Sequence, residues 1–260
     1  MKIGVFQNDA GVQGSEDRFR WMESNARSHA GLDLLVFPEL FMSGYNVGED
    51  LHRLAEPVDG SFAKRVKSLA RELGIAILYG YPERCGDAVF NSALLIDGDG
   101  QVLARHRKTV LPDGIEQDWF QTSEGLTLFS FCGARIALMI CYECEFPETV
   151  RSVTGMGADI VLVCTACGWE QVPKLVIPSR AFENGVFMVY ANLAGVENGH
   201  HFAGLSCIVD PYGCDLARAG KDETAISATL DLSMVKEARK RLPYLRDHLK
   251  VPKKLSQALI

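Results

Sequence analysis

The chain repeats its own pattern of apolar segments, and this internal repeat is the strongest constraint on its fold. KIGVFQN, which begins at Lys2, matches RIALMIC, which begins at Arg135, and GLDLLVFPE at Gly31 matches GADIVLVCT at Gly157. Two further pairs follow in the same order, LARELGIAILYGY with SRAFENGVFMVYAN and LLIDGDGQVLARHRK with CIVDPYGCDLARAGK. Four matches in one order predict two copies of a single strand-helix-strand unit.

Each copy alternates apolar strands with amphipathic helical segments. In the first copy we predict strands at 2–8, 32–37 and 75–81, helices at 15–31 and 61–73, and a hairpin at 91–107. This order gives a mixed sheet with helices over one face, and stacking two such sheets would bury both remaining faces. The sequence therefore predicts an α/β fold, a four-layer α-β-β-α sandwich of two pseudo-repeated halves, as one domain over residues 1–260.

Length and charge argue against several classes of protein. With 260 residues and 47% hydrophobic content, the chain can bury a substantial core. The net charge is −6, and the basic clusters are too short to follow a phosphate backbone, so no nucleic-acid partner is expected. No apolar run approaches the roughly 18 residues of a membrane span, and the N-terminus does not suit a signal peptide. We expect a cytoplasmic protein whose eight cysteines are reduced thiols.

The segment RIALMICYECEFPE, residues 135–148, places a cysteine where an apolar strand ends. Cys141 follows the strand, and a helix is predicted to begin near Pro147 because proline is tolerated in the first turn of a helix. A cysteine at a strand-to-helix turn is a common position for a nucleophile. The alternative is a core role, because free cysteine behaves as a small hydrophobe and is often buried.

The same cysteine also belongs to a spacing that suits a metal. Cys141, Cys144, Cys164 and Cys167 form two Cys-x-x-Cys pairs, and the separation of the pairs falls in the range of zinc sites. Each pair, however, closes an apolar run, and residues three apart on one strand face opposite sides of the sheet. A structural zinc module is therefore a competing hypothesis.

A reactive Cys141 needs a partner that removes its proton, because a free thiol has a pKa of about 8.5 and the thiolate is the nucleophile. Glu143 and Glu145 are close in sequence and would raise that pKa further. None of the six histidines has an evident anchor, which leaves a carboxylate and a lysine as candidates. Glu39 lies at the end of an apolar strand, and Lys108 ends the hairpin strand LARHRK. Each also has an ordinary explanation, Glu39 as a helix-start carboxylate and Lys108 as a surface charge.

Three segments together resemble a known family. VFPELFMSGYN around Glu39, HRKTVLP around Lys108 and ICYECEFPE around Cys141 are similar, in order and spacing, to the three signatures of the nitrilase, or carbon-nitrogen hydrolase, superfamily. The resemblance extends over nearly the whole chain and implies the same four-layer sandwich. It also implies a Glu-Lys-Cys triad of these three residues, with an additional active-site glutamate at Glu116. One departure is Val110, where many relatives carry a histidine.

The resemblance implies a cysteine-dependent hydrolase that needs no metal or organic cofactor. Glu39 would accept the thiol proton, and the thiolate would attack an amide carbon to give a thioester. Lys108 and the backbone N–H of Tyr142 would hold the oxyanion. Glu39, positioned with Glu116, would protonate the departing ammonia and then activate the hydrolytic water.

The substrate expectation also comes from the resemblance. FMSGYNVGEDLHRLAEPVDG and GYPER look most similar to the amidase branch that acts on small linear amides carrying an amino group, such as 5-aminopentanamide or amino-acid amides. The candidate substrate contacts are Tyr45, Trp119, Glu145 and Trp169. A nitrilase, a carbamoyl-amine hydrolase or an ω-amidase acting on dicarboxylate monoamides would use the same triad. The intact triad argues against a catalytically idle interaction subunit.

The C-terminal tail, residues 243–260, follows a helix and a proline and carries apolar side chains such as Tyr244 and Leu245. A tail of this kind commonly packs on a neighbouring subunit. We therefore expect a homodimer or a higher homo-oligomer.

Overall fold

Two six-stranded sheets, a further two-stranded sheet and the surrounding helices make up the computed structural model, which describes residues 1–12 and 14–251. The strands are β1 (Lys2–Gln7), β2 (Leu34–Val36), β3 (Ala76–Cys85), β4 (Ala88–Ile96), β5 (Val102–Arg107), β6 (Thr127–Phe131), β7 (Ala134–Ile140), β8 (Ile160–Thr165), β9 (Phe187–Asn192), β10 (Ala194–Glu197), β11 (His200–Ala203), β12 (Cys207–Val209), β13 (Asp215–Arg218) and β14 (Thr224–Thr229). The helices are α1 (Ser15–Ser28), α2 (Asp50–Leu54), α3 (Ser61–Leu73), α4 (Ile115–Trp119), α5 (Pro147–Gly155), α6 (Ile177–Asn184), α7 (Ser233–Arg241) and α8 (Tyr244–Asp247). Short 3-10 turns span Cys141–Glu145 and His248–Lys250, and a π-helical turn spans Val172–Val176.

The two large sheets share one strand order, as the internal repeat predicts. The order is β14-β1-β2-β3-β4-β5 in the first sheet and β6-β7-β8-β9-β12-β13 in the second. In each sheet three parallel neighbours continue into an antiparallel hairpin. An antiparallel strand closes the opposite edge of each sheet, and the first sheet takes that strand, β14, from the other end of the chain.

Alternation along the strands gives each sheet two buried faces. Val5 and Val36 of the first sheet share one apolar cluster with Ile136 and Leu162 of the second, so the sheets pack face to face. The outer face of the first sheet packs on α1 and α3, and the outer face of the second packs on α5 and α6. The predicted four-layer α-β-β-α sandwich is confirmed.

Most predicted elements are present, with shifted ends. α3 ends where predicted, at Leu73, because Gly74 adopts a left-handed conformation with φ 66°. α1 ends at Ser28 rather than at residue 31. The strand predicted at 32–37 is shorter than expected, because β2 spans only Leu34–Val36 before the chain leaves the sheet.

The described part of the C-terminal tail packs on its own chain. The ring of Tyr244 lies 5.7 Å from that of Phe182 on α6, and the two side chains stay about 40% exposed. Residues 252–260 of the predicted tail lie outside the described residues. Within residues 1–12 and 14–251, we find no helix with the length and hydropathy needed to cross a bilayer.

Three strand ends meet at one edge of the sandwich. β5 runs parallel to β2 because two antiparallel pairings separate it from β3. A parallel bridge between Asp9 and Ala194, just after β1 and β9, shows that the strands of both sheets end at this edge. Glu39 follows β2, Lys108 follows β5 and Cys141 follows β7, so the fold brings all three to the same side.

A glycine in β3 lets the segment after β2 lie close against the sheet. The N–H of Gly80 donates to the carbonyl of Pro38 at 3.1 Å, and its own carbonyl accepts from the N–H of Met42 at 3.1 Å. A Cβ atom at position 80 would overlap the nitrogen of Leu40 and lie 2.7 Å from the Cα of Glu39. Because these are backbone atoms, they cannot swing aside as a flexible side chain would.

We expect Gly80→Ala to destabilise the protein, because the segment that carries Glu39 must move off β3. Overpacking of this kind costs about 1–3 kcal/mol, which thermal unfolding would register as a Tm lower by several degrees. Gly125→Ala is the matched control, since a Cβ there meets no atom within 4 Å. An unchanged Tm for Gly80→Ala would contradict the close approach.

Candidate active site

Lys108 lies buried between two carboxylates. Its Nζ donates to Glu39 Oε1 at 2.8 Å and to both carboxylate oxygens of Glu116 at 2.7 Å. The side chains of Glu39 and Lys108 are 0% exposed and that of Glu116 is 2% exposed. The ordinary explanations are therefore wrong, because Lys108 is not a surface charge and no helix begins at Glu39. The structure brings Glu39, Lys108 and Glu116 together.

Two neutral side chains complete this cluster. Asn91 on β4 donates from Nδ2 to Glu39 Oε1 at 2.7 Å and to Glu116 Oε2 at 3.2 Å. The hydroxyl of Tyr45 donates to Glu116 Oε1 at 2.8 Å. Tyr45, predicted as a substrate contact, thus also holds a carboxylate. Asn91 was missed, although a buried amide inside the apolar run VFNSALLI was a signal that could have found it.

Cys141 begins the turn that follows β7 and has an unusual backbone. Its φ is 47°, in the left-handed region that residues other than glycine rarely adopt. Strain of this kind collects at functional sites, where the surrounding structure holds it in place. Burial raises the pKa of the Cys141 thiol well above its ordinary value, Glu39 adds to the rise, and the ammonium of Lys108 opposes it. The resting cysteine is therefore a neutral thiol that needs a base.

The charges around Lys108 give Glu39 the character of a base. Burial raises the pKa of Glu39 above its ordinary value of 4.5, with Lys108 opposing the rise and Glu116 adding to it. Burial alone would lower the pKa of Lys108, but Glu39, Cys141 and Glu116 together hold it above its ordinary value. Among the described residues, Glu39 Oε2 has no hydrogen-bond partner. One oxygen of Glu39 is therefore left to accept a proton.

A cavity of about 630 Å³ opens over Cys141. Its wall includes five further residues that the sequence put forward, namely Tyr45, Glu116, Tyr142, Glu145 and Trp169. Trp169 is 73% exposed, so it stands at the rim of the cavity.

Trp119, predicted as a substrate contact, is not part of the cavity wall. Its ring lies 5.4 Å from that of His52, and it packs against an apolar cluster that includes Leu51 and Phe120. Glu116 reaches Lys108 from α4, whereas Trp119, one turn further along this short helix, lines a separate cleft with Leu51 and Phe120, so the structure does not bring it to the cavity over Cys141.

The turn after Cys141 is held from the helix side. Arg180 on α6 donates from Nε to the carbonyl of Cys144 at 3.2 Å and from Nη2 to that of Glu145 at 2.6 Å. Burial raises the pKa of Glu145, and Lys108 and Arg180 oppose the rise. The Glu145 carboxylate therefore remains in the cavity wall with Arg180 supporting its backbone.

The zinc hypothesis is wrong, because the four cysteines do not converge. Cys164 faces the core between the sheets, whereas Cys144 and Cys167 face the helices on the other side of the second sheet. Cys164 lies on β8, whereas Cys167 follows the end of that strand and Cys144 lies in the turn after β7. Across residues 1–12 and 14–251, no group of three or more histidine, cysteine or acidic side chains is arranged to hold a metal ion.

One histidine has an anchor that the sequence did not reveal. His106 Nε2 lies 2.8 Å from Glu143 Oε2, and both side chains are 0% exposed. The sequence analysis expected Glu143 to raise the pKa of Cys141, but Glu143 turns toward His106. The main charges that act on the Cys141 thiol are instead those of Glu39 and Lys108. The spacing of 37 positions between His106 and Glu143 left no local signal for this pair.

We expect the rate at which iodoacetamide alkylates Cys141 to fall as the pH is lowered, with the midpoint of the fall above pH 4.5. Glu39 must be ionised to take the thiol proton, and its pKa lies above its ordinary value of 4.5. The inactivation rate measured against pH should show this limb below a plateau, and Glu39→Gln should lose the plateau, because its rate would follow the thiolate fraction of a thiol whose pKa is raised. A wild-type rate that stays level down to pH 4.5 would rule out Glu39 as the base.

Comparison with known proteins identifies the family of this chain. Residues 13–240 match the carbon-nitrogen hydrolase family model. The chain is 42% identical over 255 residues to a protein named "Hydrolase in pqqF 5′ region" from Pseudomonas protegens, covering 95% of this chain and 88% of that one. It is 35% identical over 231 residues to an (R)-stereoselective amidase from a Pseudomonas species, covering 88% of this chain and 84% of the relative.

A solved structure agrees with this relationship. The amidase from a Nesterenkonia species superposes with a TM-score of 0.83 at 31% identity, covering 94% of this chain and 95% of that one. A variant of that amidase carries acrylamide added at its active-site cysteine. The chain described here therefore belongs to the carbon-nitrogen hydrolase family, whose members hydrolyse carbon–nitrogen bonds other than peptide bonds.

Proposed function

We propose that this hydrolase is a cysteine-dependent amidase that cleaves small linear amides carrying an amino group to a carboxylate and ammonia. The charge of the cavity carries the proposal. Its wall contains the carboxylates of Asp113, Glu116 and Glu145 and the imidazoles of His200 and His201, and among the described residues it contains no lysine or arginine. A substrate ammonium would be attracted to these carboxylates, whereas the free carboxylate of a dicarboxylate monoamide would be repelled by them and would find no lysine or arginine in the wall to pair with.

The first chemical step needs a proton acceptor beside the thiol. Glu39 Oε2, which has no partner among the described residues, accepts the proton of Cys141 as the sulfur attacks the amide carbon. Lys108 keeps its ammonium charge between Glu39 and Glu116, and this charge stabilises the thiolate as it forms.

The next step places negative charge on the amide oxygen. Lys108 and the backbone N–H of Tyr142 are the donors proposed for this oxyanion. All three N–H groups of Lys108 are occupied at rest, two of them by Glu116, so releasing one Glu116 oxygen frees a donor for the substrate. Glu39 then gives its proton to the leaving ammonia.

A thioester between Cys141 and the acyl group remains after ammonia leaves. Water attacks this thioester while Glu39 takes the water proton, and the proton then returns to the sulfur as the carboxylic acid departs. The acrylamide adduct on the cysteine of the related amidase supports a sulfur nucleophile here. Glu116 holds Lys108 throughout, with Tyr45 and Asn91 holding Glu116.

An ammonia-release screen tests the proposal. We expect α- or ω-amino amides to give the highest kcat/KM among matched amino amides, dicarboxylic monoamides, carbamoyl amines and nitriles, because only the cationic substrates suit the acidic wall. Cys141→Ala should remain folded by circular dichroism and release no ammonia above background. A preference for dicarboxylic monoamides or nitriles would contradict the proposal, and one for carbamoyl amines would move it to carbamoyl hydrolysis.

Glu145 is the residue that we expect to meet the substrate ammonium. A hydrogen bond to a charged group contributes about 1.5–3 kcal/mol. Glu145→Gln should therefore lower kcat/KM for an amino amide roughly 10- to 100-fold and leave an uncharged alkyl amide of the same length nearly unchanged. Glu148→Gln, an exposed carboxylate on α5, is the matched control. Equal losses on both substrates would exclude an ammonium contact.

We also propose that residues 1–260 form one domain and that its tail packs on a second copy of the chain as a homodimer. Leu249 is 71% exposed and Val251 is 62% exposed, and both follow α8, whose Tyr244 forms a partly exposed pair with Phe182. Apolar side chains left open in this way are typical of a surface that a partner covers. The eight free cysteines suit a reducing compartment, which favours a cytoplasmic location.

Deleting the tail tests the dimer. We expect a chain that ends at Leu242 to have a lower molar mass by light scattering than the full chain, because the proposed contact is removed. Tyr244→Ala with Leu249→Ala in the full chain should weaken the dimer without shortening it. An unchanged mass for both variants would contradict a contact through the tail.

A further inference from the structure

A buried carboxylate joins the strand end that bears Lys108 to the turn that bears Cys141. Glu143 Oε2 accepts from the backbone N–H of Ile140, the residue before Cys141, at 2.6 Å. Its other oxygen accepts from the backbone N–H of Thr109, the residue after Lys108, at 2.8 Å. The Glu143 carboxylate therefore binds the backbone of both halves of the sandwich, at the residues next to Lys108 and Cys141.

Two side chains also contact the Glu143 carboxylate. The hydroxyl of Thr109 donates to Glu143 Oε1 at 2.5 Å, and His106 Nε2 lies 2.8 Å from Glu143 Oε2. Burial alone would raise the pKa of Glu143, but His106, Thr109 and the N–H of Ile140 hold it below its ordinary value. The carboxylate is thus ionised and can only accept hydrogen bonds, so the His106 nitrogen that faces it carries a proton.

Glu143 does not contact the cavity in which substrate would bind. It is absent from the cavity wall, and its side chain is 0% exposed. A buried charge is costly to desolvate, and a hydrophobic side chain of similar size would fill the same space more cheaply. What distinguishes Glu143 is the pair of backbone N–H groups that it binds. Each belongs to a residue directly next to a proposed site residue, Lys108 or Cys141.

We propose that Glu143 is a positioning residue that sets the Lys108 ammonium relative to the Cys141 sulfur by holding the backbone N–H groups of Thr109 and Ile140. The inference rests on the proposed function of this site and adds a requirement to it. The left-handed φ of 47° at Cys141 needs such support, because the turn would otherwise relax toward an ordinary conformation. Glu143 acts on the rate of bond formation rather than on substrate affinity.

Glu143→Gln is the main test. The amide keeps the size of the side chain but replaces one acceptor oxygen with a donor, so either Ile140 or Thr109 loses its acceptor. We expect kcat to fall roughly 10- to 100-fold with little change in KM, and the alkylation of Cys141 by iodoacetamide to slow by a similar factor. Alkylation follows from the placement of the sulfur, carboxylate and ammonium and does not depend on which amide is the substrate.

Asp210→Ala is the control. Asp210 is also a buried carboxylate that accepts from two backbone N–H groups, those of Tyr212 at 2.8 Å and Cys214 at 3.0 Å, in the hairpin turn between β12 and β13. It contacts neither Lys108 nor Cys141. This variant leaves both N–H groups without their acceptor, so it should lower Tm while leaving the alkylation rate at the wild-type value.

Thr109→Val is a second test of the positioning role, and it can be used even if Glu143→Gln does not fold. The valine keeps the shape of the side chain and removes only the hydroxyl contact to Glu143. A slower alkylation rate in a folded Thr109→Val supports the proposal, and wild-type alkylation in every folded variant would overturn it. Failure of the amidase assignment has a different signature, because wild-type protein would then release no ammonia from any amide while its alkylation rates still report the geometry.

Discussion

A fully buried lysine requires partners, and Lys108 has them in Glu39 and Glu116. Removing three charges from water costs several kcal/mol for each ion unless good geometry and further hydrogen bonds compensate. Asn91 and Tyr45 supply those further bonds to the two carboxylates. Four separate segments must therefore meet at one sheet edge before the ammonium can be desolvated, and the arrangement that lets Glu39 act as a base follows from the same contacts.

The pseudo-repeat explains why this edge could acquire chemistry from both halves. Glu39 in the first copy corresponds to Thr165 in the second, and the N–H of Glu39 donates to the carbonyl of Thr165 at 3.4 Å. Equivalent positions thus touch across the sheet interface. Lys108 corresponds to Lys221, which is 65% exposed and pairs with Glu170 on the surface. The two halves share the scaffold, whereas the buried carboxylate of Glu39, the buried ammonium of Lys108 and the thiol of Cys141 each occur in only one half.

Strain and its support occur together at the site. Leu40 and Cys141 both have φ 47°, and both lie on segments that leave parallel strands beside Lys108. The first segment is seated on β3 through the hydrogen bonds of Gly80, and the second is held by Glu143 through the N–H of Ile140. Neither conformation would persist on its own, so the positions of the base and the thiol depend on neighbours that take no part in bond making.

The sequence by itself determined the repeat, the layers and the strand ends that carry Glu39, Lys108 and Cys141, because apolar periodicity and motif order are local properties of the chain. Only the tertiary structure decided which side chains meet. It paired His106 with Glu143 across 37 positions, brought Asn91 to Glu39 across 52, separated Cys164 from Cys167, and left Trp119 outside the cavity. Contacts of this kind depend on strand register and on how two sheets stack, and neither is written in the pattern of any single segment.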